Sequence, residues 1–422
     1  MQSQRKLPFY YLTLLILAGE AVFILPFVLA RVFRPTFLEV FNLSNLQLGY
    51  CFSIYGIVAL VSYLLGGPLA DKFKPRVLLA TALFLTSLGG FVLATFPSFT
   101  ILKVLYGYWG CTTILLFWAA MIKATRIWGG SNRQGKAFGF LDGGRGLVGA
   151  CFGLVGVVIF SLFITSEITE APLTERKDAF RYVIYVSSTI IIAISILVFL
   201  FLKDTSKSIS EEKIKSFESL KAIKQVLKLP AVWLLMIIIL CGYTGYKTTD
   251  IISQYANEVM GYDQIKSAQI GTLLLYIRPI VGVTIGFLAD ITKPSKVLIW
   301  GFVMMTLGSS FFASGILNDS LILIFFIAMI STALGVYSIR VLYFAVLKEG
   351  NIPLVYTGTA VGMMSLIGYT PDIFAGPMMG YLLDNNPGEL GHQYSFGALA
   401  IFSVIGGIAA IAFRRISKNT TS

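Results

Sequence analysis

Gly67-Pro-Leu-Ala-Asp71-Lys72-Phe73-Lys74-Pro75-Arg76 is a burst of charge set between two long apolar runs. A shortened copy, Gly286-Phe-Leu-Ala-Asp290 followed by Lys293 and Lys296, returns about half a chain-length later. One charged hairpin per half implies a duplicated architecture with a two-fold plan. The runs on either side fix its setting. Of the 422 residues, 56% are hydrophobic and only 13% charged, against about 25% charged in a soluble domain. Apolar runs of around 20 residues recur along the whole length, each enough to cross a hydrocarbon layer of roughly 30 Å. The fold class expected is an all-α polytopic membrane protein.

The spacing predicts twelve spans, near 9–34, 46–70, 77–96, 99–127, 135–164, 180–202, 230–257, 265–289, 296–315, 319–347, 355–383 and 394–413. They fall into an N-terminal six-helix bundle (1–202), a hydrophilic linker (203–229) and a C-terminal six-helix bundle (230–422). Within the linker, Ile214, Phe217, Leu220, Ile223 and Leu227 recur every three or four positions among lysines. That pattern is an amphipathic helix lying along the inner membrane face. The net charge of +12 would suggest nucleic acid in a soluble protein. Here the excess Lys and Arg instead set orientation, clustering on the loops that place both termini in the cytoplasm. No nucleic-acid partner is expected, and a bacterial inner membrane is. The first segment, long and without a small-residue cleavage site, is expected to be retained as a helix.

Four cysteines, all inside apolar runs, are expected to pack rather than to form disulfides or bind metal. The single histidine, His392, falls in what reads as a polar loop. With no further histidine, no P-loop and no cofactor motif, neither enzyme nor ATP-driven pump is expected, and no metal or other cofactor.

Charge inside a bilayer is costly unless paired or facing water, so its distribution marks the helices that line a pathway. Spans 3, 6, 9 and 12 have none in their interiors, as lipid-facing scaffold helices would. The charges are Glu20 and Arg31 (span 1), Asp142 and Arg145 (span 5), Lys247 and Asp250 (span 7), Arg278 (span 8), Arg340 (span 10) and Asp372 (span 11).

At this point the chain resembles the major facilitator superfamily, over all twelve spans. Gly67 to Arg76 is similar to that family's loop 2–3 motif, and Gly286 to Asp290 is its repeat. The resemblance implies two pseudo-symmetric six-helix bundles giving alternating access to a central site. It also implies a cytoplasmic latch built from Asp71, Arg76, Asp290 and Arg133 of loop 4–5. Trp118 to Trp128, Asn132-Arg133-Gln134-Gly135 and the basic residues of spans 1 and 7 resemble the organophosphate–phosphate antiporter branch, which holds phosphate on such a pair. Lys247 stands where that branch has Arg, and span 5 lacks the branch's histidine.

Arg31, Lys247, Arg278, Arg145 and Arg340 are therefore candidate ligands for an anionic head group, since a guanidinium fork matches phosphate, sulfonate or carboxylate. The alternative is structural neutralisation: Asp142–Arg145 and Lys247–Asp250 are each three residues apart on one helical face. Glu20, Asp372 and Asp142 are candidate proton sites, because apolar surroundings favour the protonated form of a carboxyl. Pro371, following Gly368, is expected to kink span 11 beside Asp372. The function expected is secondary transport of a small organic anion, coupled to protons or to a counter-anion, by a monomer in the bilayer. A receptor built on the transporter fold and an efflux transporter for zwitterions or drugs are the alternatives.

Overall fold

The computed structural model describes residues 8–129, 134–164, 171–202, 224–318, 320–343, 345–347, 349–352 and 357–419. Among these, eleven helical segments are long and apolar enough to cross a membrane. They are Phe9–Val32, Asn45–Tyr63, Pro75–Leu93, Phe99–Gly129, Gly139–Leu162, Leu173–Phe201, Pro230–Glu258, Gln264–Ala289, Pro294–Ala313, Ile322–Leu342 and Glu389–Ser417. The twelfth span, number 11 in chain order, is split into Thr357–Gly368 and Pro371–Asn385. That break lies where Pro371 was expected to kink the helix: a proline cannot donate to the preceding turn.

Local chemistry sets many of the ends. Ser44 opens span 2 with a capping box: its hydroxyl accepts from the Gln47 N–H at 3.2 Å, and the Gln47 side chain accepts from the Ser44 N–H at 2.9 Å. Pro75, Pro230 and Pro294 occupy first-turn positions where no intrahelical donor is needed. Several helices outrun the apolar runs that announced them. Span 6 begins at Leu173, seven residues before the apolar run at 180, and its first turns carry Glu175, Arg176, Lys177 and Asp178. Polarity reports the hydrocarbon layer, whereas the helix continues into the interface. The same effect corrects His392. It lies buried in the helix Glu389–Asn419 rather than in a polar loop.

Three spans are locally irregular among the described residues, span 4 through a π segment over Cys111–Trp118. Span 1 widens into a π-turn over Ile24–Val28, which contains Pro26, and span 7 tightens into a 3-10 turn over Thr249–Ile251. A proline inside a helix clashes with the carbonyl four residues back, and a wider turn relieves that clash.

The chain forms two compact units: residues 1–207 with 250–279, and residues 208–249 with 280–422. In the first, span 1 runs through the middle of the core, burying Leu15, Ala18, Ala21, Val22, Leu25 and Val32. In the second, span 9 packs against spans 10 and 12. Spans 3, 6, 9 and 12 carry exposed apolar rows, including Phe84 and Leu88, Ile196 and Leu200, Trp300 and Leu307, and Ile401 and Ile408, as their lack of interior charge predicts. Cys51 and Cys241 are buried, while Cys111 and Cys151 are exposed, and all four are free thiols. The amphipathic stretch expected in the linker lies outside the described residues up to position 223, as does Arg133.

Candidate functional site

Each unit holds its own group of charges, most of them buried. In the first, four side chains from three spans meet. Arg145 Nε donates to Glu20 Oε2 at 3.2 Å. Arg278 reaches Asp142 Oδ1 at 2.7 Å and lies 3.7 Å from Glu20 Oε1. The Arg145 guanidinium also sits over the rings of Phe23 (5.4 Å) and Trp118 (5.7 Å), where ring quadrupoles add to the carboxylate's attraction. Span 5 presents glycines to this meeting point: a Cβ on Gly149 would stand 3.2 Å from Glu20 Oε1, and one on Gly146 2.9 Å from Pro279 Cδ. Small residues let three helix axes come close enough for these ion pairs.

Towards the far end of span 1, Arg31 Nε donates to Asp250 Oδ1 at 2.5 Å. The irregular turn of span 7 delivers that carboxylate, and Ser253 completes the junction by donating to the Arg31 carbonyl at 2.7 Å. Beyond it lies a polar network that sequence reading missed. Arg34, 2% exposed, donates to Gln254 (2.7 Å) and Asn45 (2.9 Å). Thr36 donates to Gln264 at 2.9 Å, Gln264 to Glu39 at 2.8 Å, and Arg176 pairs with Glu39 at 2.5 Å. The available signal was Arg34 itself, a second cation one helical turn after Arg31. Nearby in span 4, the Tyr106 ring is fully buried, and its hydroxyl has no hydrogen-bond partner among the described residues.

The second unit holds Lys247, Arg340 and Asp372. Lys247 Nζ lies 3.3 Å from Asp372 Oδ1, and Tyr243 donates to the same oxygen at 3.0 Å. Arg340 sits 3.8 Å over the Tyr246 ring. Tyr246 stacks on Tyr243, which meets Tyr369 edge-on. Lys247 and Asp372 are buried, whereas Arg340 and the three tyrosines are half-buried. The kink in span 11 puts Asp372 in the first turn of its second helix, facing span 7.

The candidate residues are therefore sorted by partner. Asp142 and Arg145, and Lys247 and Asp250, each have an ion-pair partner on another span. Arg31, Arg145 and Arg278 are matched by Glu20, Asp142 and Asp250 within the first unit. In the second unit Lys247 pairs with Asp372, and Arg340 lies over Tyr246. Of the expected cytoplasmic latch, Arg76 lies 5.5 Å over the Phe199 ring, while the side chains of Asp71 and Asp290 are outside the described structure. Among the described residues no three His, Cys, Asp or Glu side chains converge as metal ligands would.

Residues 16–376 match the family model described as Major Facilitator Superfamily. Two relatives in Escherichia coli (strain K12) are similar along most of their length. Inner membrane protein YqcE is 28% identical over 360 residues, covering 82% of this chain and 80% of its own. Inner membrane protein YihN is 26% identical over 412 residues, covering 96% and 95%. Among solved structures, a bacterial homologue of the human lysosomal transporter Spinster, inward-facing and unoccupied, superposes with a TM-score of 0.75 at 16% identity, covering 99% of this chain and 98% of its own. The nucleoside transporter NupG does so with a TM-score of 0.69 at 14% identity, covering 96% and 98%. These two likenesses concern the fold.

Proposed function

The chain belongs to the major facilitator superfamily, a transporter rather than an enzyme, and from that premise we propose that it moves a small organic anion across the bacterial inner membrane by alternating access. The anion is a phosphorylated, sulfonated or carboxylated metabolite. The observation that supports this reading is the meeting of two cations with tyrosines in the second unit. Lys247 pairs with Asp372 and Arg340 lies over the Tyr246 ring, so an anionic head group arriving there meets two cations. The guanidinium of Arg340 offers a fork to the head group. The half-buried faces of Tyr243, Tyr246 and Tyr369 receive the organic part.

The same geometry offers a route to coupling. An anion that binds Lys247 competes with Asp372 for its ammonium, and a proton can replace the ammonium on the released carboxylate. Asp372 then takes up a proton as the substrate arrives, which is symport. Glu20 and Asp142 stand in the equivalent relation to Arg145 and Arg278. Where no proton is carried, a second anion restores the balance, which is exchange. Both termini are cytoplasmic in this reading, and one copy of the chain contains the whole path.

The test is a thermal-shift screen of the purified chain against phosphorylated, sulfonated, carboxylated, zwitterionic and cationic metabolites, with Arg340→Gln alongside. A ligand stabilises the folded state with the logarithm of its concentration over Kd. An anion should raise the unfolding temperature of the unmodified chain, and roughly tenfold more of it should be needed for Arg340→Gln, as for the loss of one charged hydrogen bond. If only cations or zwitterions stabilise the protein, the anion assignment is wrong and the fold assignment stands.

A further inference from the structure

A basic cleft of about 330 Å³ lies in the second unit, away from the buried charges, lined by Ile299, Ile411, Arg414 and Arg415. It sits where span 9 begins and span 12 ends, two helices that pack side by side and carry exposed apolar rows. On the same two helices, Trp300 (63% exposed), next to Ile299 in sequence, and Ile408 (63% exposed), three residues before Ile411, belong to the exposed apolar rows. Arg414 and Arg415 supply its charge, with Lys293 and Lys296 exposed at the start of span 9. Among the described residues none of these four cations has an ion-pair partner, and Arg414 Nε is buried without a hydrogen bond. The acid bonded at this end, Glu349, accepts from the Ser295 backbone N–H at 3.2 Å.

We propose that this cleft binds the phosphate head group of an anionic phospholipid of the inner leaflet, with the acyl chains lying along Trp300 and Ile408. Three features select a lipid. The cleft opens at the boundary where an apolar helix face meets arginine, which is the level of lipid phosphate when basic residues mark the cytoplasmic side. Paired guanidiniums suit the planar, multiply accepting oxygens of a phosphodiester. The apolar rows of spans 9 and 12 need acyl chains in any case, so a lipid satisfies both parts of the surface at once. A helix C-terminus and the positive-inside rule explain why arginines stand here. Neither explains a cleft around them, nor a buried Nε without an acceptor.

Full-length protein in phosphatidylcholine vesicles, with a rising share replaced by dibrominated phosphatidylglycerol, provides the test. The Trp300 fluorescence, obtained by difference from Trp300→Phe, should be quenched at a bromolipid share roughly thirtyfold lower than with dibrominated phosphatidylcholine, an effect of the size expected for two interfacial arginines. Arg414→Gln with Arg415→Gln should bring the two titrations together. Arg414→Lys with Arg415→Lys should keep them apart, because the charge is retained. If the glutamine pair fails to assemble, Arg415→Gln alone, at an exposed position, should still narrow the gap. Equal quenching by both lipids, or a preference that survives loss of the charges, overturns the proposal. Relief of quenching by millimolar inorganic phosphate would mean a soluble anion site and overturns the lipid assignment.

Discussion

Glu20 concentrates the residue-scale argument. It is a buried carboxylate within reach of both Arg145 and Arg278, and Asp142 is the other acid in the cluster. Replacing one member of a buried ion pair leaves the other's charge uncompensated, at a cost of about 3–5 kcal/mol. Glu20→Gln keeps the shape and removes the charge, so it should lower the unfolding temperature clearly. Adding Arg145→Gln should recover most of the loss, because the second change restores neutrality. A double variant no more stable than the single one would show that the two groups are not coupled. In transport, Glu20→Gln should abolish proton-driven accumulation and leave exchange intact; unchanged net uptake would remove Glu20 from the coupling scheme. The identities of these charges were legible in sequence, because a charge in a long apolar run stands out. Their partners were not. Spacing offers only the neighbours on the same helix, such as Asp142 for Arg145, while the partners found here come from helices far away in the chain.

At the scale of elements, hydropathy located the twelve spans and Pro371 announced the break in span 11. The π-turn at Ile24–Val28 and the tight turn at Thr249–Ile251 left weaker marks. Pro26 was visible but the widening it causes was not, and no residue type announces the turn that carries Asp250. Close approach between helices is equally hard to read, since glycine serves many purposes. Gly271 and Gly139 separate two of them. A Cβ on Gly271 would lie 3.0 Å from Val32 Cα and 3.2 Å from its carbonyl oxygen, both backbone atoms of span 1 that cannot rotate away. One on Gly139 would meet nothing within 4 Å. Gly271→Ala should therefore destabilise the protein by about 1–3 kcal/mol through overpacking. Gly139→Ala should be neutral or stabilising by up to about 1 kcal/mol, through helix propensity alone. Thermal unfolding of the two variants decides the point, and shifts of the same sign would defeat it.

For the whole molecule, the repeated charged hairpin and the silence of spans 3, 6, 9 and 12 were enough to place the chain among two-bundle transporters. The network around Arg34 has no counterpart in that plan, because it is assembled by uncharged Asn45, Gln254, Thr36 and Gln264, which hydropathy treats as ordinary interface residues. It occupies the face opposite the basic loops, and under the proposed alternating access such a network parts whenever this face opens. Arg34 makes two charge-assisted bonds there, each worth about 1.5–3 kcal/mol. Losing them should shift the protein towards the open form by at least about tenfold. Ser253, buried below the network and bonded to the Arg31 carbonyl, provides the reporter position. In a background lacking Cys51, Cys111, Cys151 and Cys241, Ser253→Cys should react slowly with a membrane-impermeant maleimide added from outside. With Arg34→Gln added, the reaction should run about tenfold faster or more, and Glu39→Gln should give a smaller increase because its Arg176 partner is partly exposed. Equal labelling rates with and without Arg34→Gln would mean that the network fills space at the helix ends without holding them shut.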